Sequence, residues 1–418
     1  MATSGRSRTV VGLLTSLVLA APVLAGCSAA GAAPVSPSGG GSGTSAPSTG
    51  SAPASSPSST EPPAAPSASP SASGAPVSTA EPCRVDLPAA WRTGLARGVL
   101  RPVDDEVLTV ALGTADGTFV VSDVPGVHRR LERRQGRTTE VVQDLGLDHP
   151  EWQVLGATWD GRHLAYRVDR SFSNFEDFGL YVWDSGSGKA PVEVAHGEED
   201  DDGELMQTPF VDPVLADGWL YWTQTRDADP GHTVLSGYRL ADGRTERLSR
   251  GYGRAPVRFG GTLVWADSDG PGETSSLRML DLRTHERVPV PAALADARGP
   301  SYLAADEGTL VWVGGRKGRE VDVWRAGWPR PRLLVGTLAS PQLPRVAGDV
   351  VVLAADDAMY AADLRSWSSA RLTPAYGGVW ADGGPVVTVG YAPESKAGAS
   401  VQTVLDTAAA GPLGRSGC

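Results

Sequence analysis

The chain has 418 residues, with 37 Lys and Arg against 48 Asp and Glu, and a formal net charge of −11. This acidic balance argues against nucleic acid or an anionic membrane face as a partner, because both require a basic surface. The part of the chain that follows residue 82 is long enough for one large domain or two smaller ones.

Residues 1–27 have the pattern of an export signal. Arg6 and Arg8 provide a basic start, and an apolar run, residues 10–23, follows them. At about 14 residues this run is shorter than the ~20 residues that a membrane-spanning helix needs. The segment ends in Leu24-Ala25-Gly26-Cys27. We therefore favour a cleaved signal over a membrane helix.

Residues 28–82 consist almost entirely of Ser, Ala, Pro, Gly and Thr and contain no aromatic residue. Such a composition cannot bury enough apolar surface to offset the entropy of ordering the chain. A mixture of Pro with Ser and Gly predicts a partly extended tether with a root-mean-square reach of roughly 40 Å.

From residue 83 to residue 418 the same outline of short strands recurs seven times. Second strands combine an apolar with an aromatic residue, as in Leu164/Tyr166, Leu220/Trp222, Leu263/Trp265 and Leu310/Trp312. Third strands end in Asp before a turn, at Asp184, Asp281, Asp363 and Asp406. The repeats average roughly 47 residues, which is typical of four-stranded propeller blades. We predict an all-β propeller, seven-bladed, with six or eight blades as alternatives.

The last repeat is one strand short, while residues 83–87 have a strand pattern. We predict that this N-terminal strand pairs into the last blade and closes the ring, which protects the open edges. Cys83 and Cys418 stand at the two ends of the repeat region, and in an exported protein such a pair predicts a disulfide. Two free thiols are the alternative.

The Leu-Ala-Gly-Cys ending of the signal resembles the lipobox of bacterial lipoproteins. With the repeats, the chain resembles actinobacterial-type lipoproteins that have a TolB-like or WD40-like propeller. The resemblance implies that Cys27 is lipidated, that the protein is anchored to the outer face of the cytoplasmic membrane, and that the propeller displays and binds. The Gly-His and Trp-Asp pairs of true WD40 blades are absent as a repeating set, and an incidental Cys27 in an ordinary signal is the alternative.

In a four-stranded blade, the connections between the second and third strands share one end with the connections between blades. The long connections of this chain fall at that end, and loops on a rigid scaffold are where binding residues concentrate. We predict a ligand face there for a protein or envelope glycan partner, bound by a monomer. Its candidate residues are Phe172, Phe175, Phe178, Asp227, Asp229 and Arg316. For the three Phe residues, packing over the blade edge is the alternative.

Two acidic segments are candidate sites for Ca²⁺, which takes six to eight oxygen ligands. The run 198–204 lacks the alternating spacing that lets carboxylates converge, and a solvated mobile loop is the alternative. Asp267, Asp269 and Glu273 are better spaced and form the candidate calcium set. No other cofactor is expected.

No catalytic motif is evident in the folded region: it contains no His-Glu-x-x-His and no Gly-x-Ser-x-Gly. We therefore favour a non-catalytic binding or scaffold module for a protein, peptide or envelope component. The alternative is an extracellular carbohydrate-active hydrolase or lyase. A central funnel lined by charged residues from several blades would favour that alternative, and exposed aromatic residues on the acidic face would favour binding.

Overall fold

Short strands rich in Val, Leu and aromatic residues, separated by turns that contain Asp or Gly, build this fold. The computed structural model describes residues 81–414 except 104, 172–176, 201, 207–211, 226–231, 250, 271–272, 316–317, 337–342, 356–357, 375–376, 382 and 392–399. The strands form seven blades in a ring, so the predicted seven-bladed propeller is confirmed. In the described part of the chain, no helix is long and apolar enough to cross a membrane.

Each of the first four blades is an antiparallel meander of four strands, numbered from the channel outward. The first blade is β2 (Val107–Thr114), β3 (Gly117–Val124), β4 (His128–Gln135) and β5 (Thr138–Asp144). The second is β6 (Gln153–Trp159), β7 (His163–Asp169), β8 (Phe178–Asp184) and β9 (Val192–His196). The third is β10 (Val214–Ala216), β11 (Trp219–Thr225), β12 (Thr233–Arg239) and β13 (Thr245–Arg247). The fourth is β14 (Arg254–Phe259), β15 (Thr262–Asp267), β16 (Ser276–Asp281) and β17 (Arg287–Val288).

The remaining blades follow a 3₁₀ turn, Ala292–Leu294. The fifth is β18 (Leu303–Ala305), β19 (Thr309–Gly314), β20 (Glu320–Arg325) and β21 (Arg332–Val335). The sixth is β22 (Arg345–Ala347), β23 (Val350–Ala355), β24 (Ala358–Asp363) and β25 (Ser368–Arg371). The seventh has β26 (Gly377–Trp380), β27 (Val386–Tyr391) and β28 (Val401–Asp406). The chain also has β1 (Cys83–Arg84), α1 (Ala89–Arg97) and α2 (Thr407–Ala410).

The two ends of each blade differ in their connections. At the turn end, first strands meet second strands and third strands meet fourth strands through tight turns. Asp217 and Gly218 link β10 to β11 with positive φ at both residues, as a two-residue hairpin requires. Four of the seven third strands end in an Asp that accepts turn amides, as Asp281 does from Arg283 and Thr284. At the opposite end, called the loop end, lie the longer connections.

The aromatic residues of the second strands form the core between blades. Tyr166, Trp222, Trp265 and Trp312 are all buried. Side chains of the first blade's β3 and β4 share one apolar cluster with those of the second blade's β7 and β8. Each large side chain buried in this way contributes roughly 1.5–3 kcal/mol to stability, so every blade depends on its neighbours.

The ring is closed by a different segment from the one expected. Cys83 and Arg84 pair in parallel with Ser368 and Ser369, so β1 is a fifth strand of the sixth blade. The prediction that residues 83–87 pair into the last blade is therefore wrong.

The fourth position of the seventh blade is taken by Val99, which bridges to Thr403 in antiparallel fashion. Leu100 N–H donates to the carbonyl of Gln402 at 2.9 Å. Between β1 and this bridge, α1 carries Trp91 into the core of the last two blades. Its indole donates to the carbonyl of Gly411 at 2.9 Å. The helix therefore fastens the N-terminal segment to the end of the domain.

The Cys83–Cys418 disulfide stays a prediction, because Cys418 lies outside the described residues. Cys83 is half-buried, and its register partner is Ser368. A Cβ added to Gly414 would lie 2.9 Å from the hydroxyl of Ser368. The four residues beyond Gly414 reach at most about 14 Å, which is enough to meet Cys83.

We expect non-reducing peptide mapping to find Cys83 joined to Cys418. We also expect reduction to lower the free energy of unfolding by up to about 4–5 kcal/mol, since the bridge closes a loop of the whole domain. Quantitative alkylation of Cys83 in the native exported protein would contradict this pairing.

Asp322, on β20 opposite Trp312, is a partly buried acid. Burial raises its pKa from 3.8 to about 6; Glu320 adds to the shift and Arg298 opposes it. The pKa of Asp322 is higher in the folded state than in the unfolded state, so the fold favours the neutral carboxyl. This contribution to stability is fully present below pH ~4 and is lost as the pH rises through ~6.

We expect Asp322→Asn to flatten the stability profile between pH 4 and pH 6 and to raise the melting temperature at pH 7.5 by roughly 2 °C. Thermal melts over this pH range test it. The exposed Asp296→Asn serves as the control, and an unchanged profile in Asp322→Asn would overturn the assignment.

Candidate functional site

The inner strands surround a central channel that contains a cavity of about 280 Å³. Segments of the second to seventh blades form its walls. Its aromatic and charged lining residues are Trp159, Asp212, Arg258, Tyr302, Asp306, Glu307 and Arg345. The channel is thus lined by charged residues from several blades, which is the feature that favours the hydrolase alternative.

Most of these charges are already engaged with one another. Arg345 of the sixth blade forms an ion pair with Asp212, which precedes the third blade. These two blades are not neighbours, so the pair spans the channel. Arg258 and Glu307 join the fourth and fifth blades with an N–O distance of 2.9 Å. These four charged side chains therefore stabilise the ring and leave the channel little free charge.

Asp306 is the remaining acid of the cavity. Its carboxylate accepts the N–H groups of Gly308 at 2.9 Å and Thr309 at 2.7 Å. Burial raises the pKa of Asp306 although these hydrogen bonds oppose the rise. Glycoside cleavage needs a second carboxylate as base or nucleophile. The other two carboxylates of the wall, Asp212 and Glu307, are held by arginines.

A serine and a histidine meet in the first blade, which the sequence did not indicate. His128 Nε2 lies 3.3 Å from Ser122 Oγ, but the Ser122 hydroxyl donates to Glu106. Burial alone would raise the pKa of Glu106, yet hydrogen bonds from Arg134 and Ser122 leave it lowered. Ser122 is only 1% exposed. It cannot reach a substrate, so this network holds the blade together.

Four exposed aliphatic residues lie at the loop end of the first blade. Val107 begins β2, Val127 precedes β4, and Leu147 follows β5, so topology places all three at this end. Val103 lies at the same end, because hydrogen bonds connect it with Glu106, the residue before β2. The exposed fractions of Val103, Val107, Val127 and Leu147 are 68%, 59%, 67% and 48%. These four residues are called the aliphatic patch.

A stacked pair continues this surface toward the second blade. The rings of His149 and Trp152 lie 4.4 Å apart between centroids and 13° from parallel. Arg129 donates to the backbone carbonyls of both residues, which fixes the connection that carries them. The patch therefore adjoins a rigid, partly exposed aromatic stack, the feature that favours a binding role.

The acidic run that follows β9 forms a hydrogen-bonded hairpin. Glu199 bridges to Leu205, and Asp200 N–H donates to the carbonyl of Glu204 at 2.8 Å. The carboxylate of Asp200 accepts the N–H groups of Asp202 and Glu204, each at 3.0 Å. The described residues 198–200 and 202–206 are called the acidic hairpin, and the solvated mobile loop stays the alternative interpretation.

The predicted ligand-face residues are only partly within the described chain. Phe172, Phe175, Asp227, Asp229 and Arg316 lie outside it, and their assignment stays a prediction. Phe178 is described and requires a correction. It begins β8, is 2% exposed, and lies under the guanidinium of Arg167, 4.4 Å from the ring centroid. Its ring belongs to the core and not to a ligand face.

The candidate calcium set is fully described. Burial raises the pKa of Asp267, while Asp269 forms an ion pair with Arg278 at 3.8 Å and Glu273 is exposed. Among the described residues, no group of three or more His, Cys, Asp or Glu is arranged to hold a metal ion. The three carboxylates therefore do not converge, and no calcium site is proposed.

No protein-family model matches the chain, and no curated protein matches it. Among solved structures, it is similar to a prolyl endopeptidase, with a TM-score of 0.50 and 17% identity over 78% of this chain and 50% of that chain. It is also similar to a puromycin-hydrolyzing peptidase of Mycobacterium tuberculosis, with a TM-score of 0.48 and 16% identity over 81% and 56% of the two chains. The chain spans about half the length of these structures. At such identities the likeness shows a propeller fold alone, and the lipoprotein and TolB-like type stays a prediction.

The aliphatic patch was missed at the sequence level, although a signal for it exists. Val127 follows Pro125-Gly126, and Gly126 has a φ of 73°, so this turn presents Val127 to solvent. Val103 and Leu147 likewise stand inside connections rich in Pro, Gly and Asp. Large aliphatic residues within turn sequences are the pattern that would have identified the patch.

The cross-channel ion pair generates a stability prediction. Arg345→Met removes the ion-pair partner of Asp212, and we expect a loss of about 2–3 kcal/mol, below the figure for fully buried pairs because Asp212 is partly exposed. Adding Asp212→Asn should recover at least half of the loss. Chemical denaturation of the single and double variants measures this coupling.

Arg258→Met is the matched control, because its partner Glu307 is largely exposed, and its cost should stay below about 1 kcal/mol. Equal costs for Arg345→Met and Arg258→Met would show that Arg345 does not act through a buried charge pair.

Proposed function

We propose that the protein is a lipid-anchored, cell-surface binding module that docks a protein, peptide or envelope component at the loop end of its first two blades. One observation carries this proposal. Five of the eight exposed large apolar residues in the described chain belong to the first-blade region, and four of them form the aliphatic patch.

Exposed apolar residues that stand singly are ordinary on protein surfaces, whereas grouped ones mark interaction sites. The patch adjoins the His149–Trp152 stack, and aromatic residues are enriched among the anchors of interfaces. Hydrogen-bonded strand ends hold the patch in place, so little ordering entropy opposes binding. These features support docking on a preformed surface.

The anchor and the tether fit the same role. A lipid on Cys27 would retain the protein at the membrane, where two acyl chains give stable attachment. A tether of residues 28–82 would let the propeller search roughly 40 Å around the anchor. Surface display of a binding domain uses both properties.

The alternative, a carbohydrate-active hydrolase or lyase, is favoured by the charged channel and by Asp306. Two features weigh against it. The other wall carboxylates are ion-paired, and the cavity volume lies just below the ~300–1,000 Å³ typical of ligand pockets. Peptidase activity, which the solved neighbours have, is not proposed either, because Ser122 of the described Ser122–His128 contact is buried.

Photocross-linking in the native host tests the binding role. A photoreactive residue placed at Val127 of the full chain is expected to give one discrete adduct, identifiable by mass spectrometry. Val103→Ser with Leu147→Ser in the same chain should remove most of that adduct. The matched control is the same label at Val192, which is 59% exposed at the turn end.

The absence of an adduct from Val127, or the same adducts from Val192, would refute docking at the patch. Loss of the adduct in the Val103→Ser, Leu147→Ser chain without a change in melting temperature would separate lost binding from lost folding.

A further inference from the structure

A chain of contacts through the second blade connects the aliphatic patch with the acidic hairpin, and from this we infer that both bind one partner, a cationic amphipathic helical segment. This inference rests on the proposed function and names the chemistry of its partner. It comes from the way in which the second blade connects the two features.

The loop end of the second blade links the patch to the hairpin through a chain of contacts. Trp152, beside the patch, lies under the guanidinium of Arg170 at 5.6 Å. Arg170 in turn bonds Glu193 of the outer strand at 2.8 Å. The chain leaves that strand with Gly197 N–H donating to the carbonyl of Phe178, and the acidic hairpin begins at the next residue. No other blade separates the two features.

The arginines that take part in this chain of contacts are engaged by acids. Arg170 is engaged by Glu193 and Asp177, and Arg129 by Asp123. In contrast, the hairpin exposes the side chains of Glu199, Asp202 and Glu204. None of these three has an ion-pair partner among the described residues. A partner that adds Lys or Arg here gains complementary charge, whereas an acidic partner or an anionic lipid surface is repelled.

The dimensions set the length of the partner. From Trp152, which precedes the inner strand of the second blade, to the hairpin, which follows the outer strand, there are three strand spacings, or roughly 15 Å. The patch lies beyond Trp152 on the first blade, so the partner must be longer than the three helical turns that cover about 16 Å. Such a helix can place aliphatic side chains at i, i+3 and i+4 on the patch at one end and basic side chains on the hairpin at the other. The surface thus selects both the apolar and the cationic half of its partner.

Peptide binding tests the inference. The protein is the chain from residue 27 onward with Cys27→Ser, made without the signal segment, so it carries no lipid and needs no detergent. The probe is an eighteen-residue amphipathic helical peptide of Leu and Lys, compared with a Leu and Glu peptide of the same pattern. Fluorescence anisotropy at 50 mM and 300 mM salt measures the affinity. We expect the Leu/Lys peptide to bind and the Leu/Glu peptide to bind at least 10-fold more weakly.

Two variants separate the two halves of the surface. The patch variant has Val103→Ser, Val127→Ser and Leu147→Ser, and the hairpin variant has Glu199→Gln, Asp202→Asn and Glu204→Gln. Each should weaken Leu/Lys binding about 10-fold. Only the hairpin variant should also lose the salt dependence, because screening acts on its charges. Val192→Ser with Glu286→Gln, both at the turn end, is the matched control and should bind like the parent.

Equal binding of the Leu/Lys peptide to the parent and both variants, or equal binding of the Leu/Glu peptide, would overturn the inference. So would a failure of the Leu/Lys peptide to bind at all. If the Val127 cross-link persists in cells in any of these cases, docking at the patch stands and only the cationic partner is wrong. If the cross-link is also absent, the proposed function fails with it.

Discussion

A propeller ring is only as stable as the junction between its first and last blades, and here that junction depends on an N-terminal segment. The seventh blade supplies three strands of its own, and Val99 completes it by pairing with Thr403. Trp91 anchors the same segment through core packing and a hydrogen bond to Gly411. Because each blade buries its aromatic face only against its neighbours, an open junction would expose core on both sides. The scaffold that presents the loop end relies on this closure.

The closed ring separates two kinds of charged residue. Inside the channel, two ion pairs connect blades, Arg345 with Asp212 and Arg258 with Glu307. The charged residues there have a structural role. At the loop end, the hairpin is held by a backbone bridge, and its carboxylates are exposed to solvent. A charged residue near the axis of this propeller is therefore weak evidence for chemistry, while exposed apolar and acidic groups at the rim are evidence for recognition.

The repeat pattern was sufficient to predict the fold because it reflects local physics. The Asp that ends third strands accepts turn amides, and the aromatic residues of second strands fill the space between blades, so both recur in sequence. The segment that closes the ring was not predictable from sequence. Residues 83–87 and the segment around Val99 both have a strand pattern. The packing of Trp91 determines that Val99, and not residues 83–87, pairs with the last blade. Phe178 illustrates the same limit, because its burial under Arg167 depends on a contact outside its own strand. The patch depends on exposure, a property of the assembled blade.

Closure by the N-terminal segment has a consequence for the order of folding. Trp91 and Gly411 are 320 residues apart. The N-terminal helix is therefore synthesised first, but it can form this contact only after the last part of the domain has been synthesised. Until then, early blades have an uncovered flank, and contacts of such long range form slowly. A chain truncated before β28 would lack both Thr403 and Gly411, and its N-terminal segment would lose the two backbone contacts that hold it to the end of the domain. The contact between Trp91 and Gly411 thus marks the point at which the ring has closed.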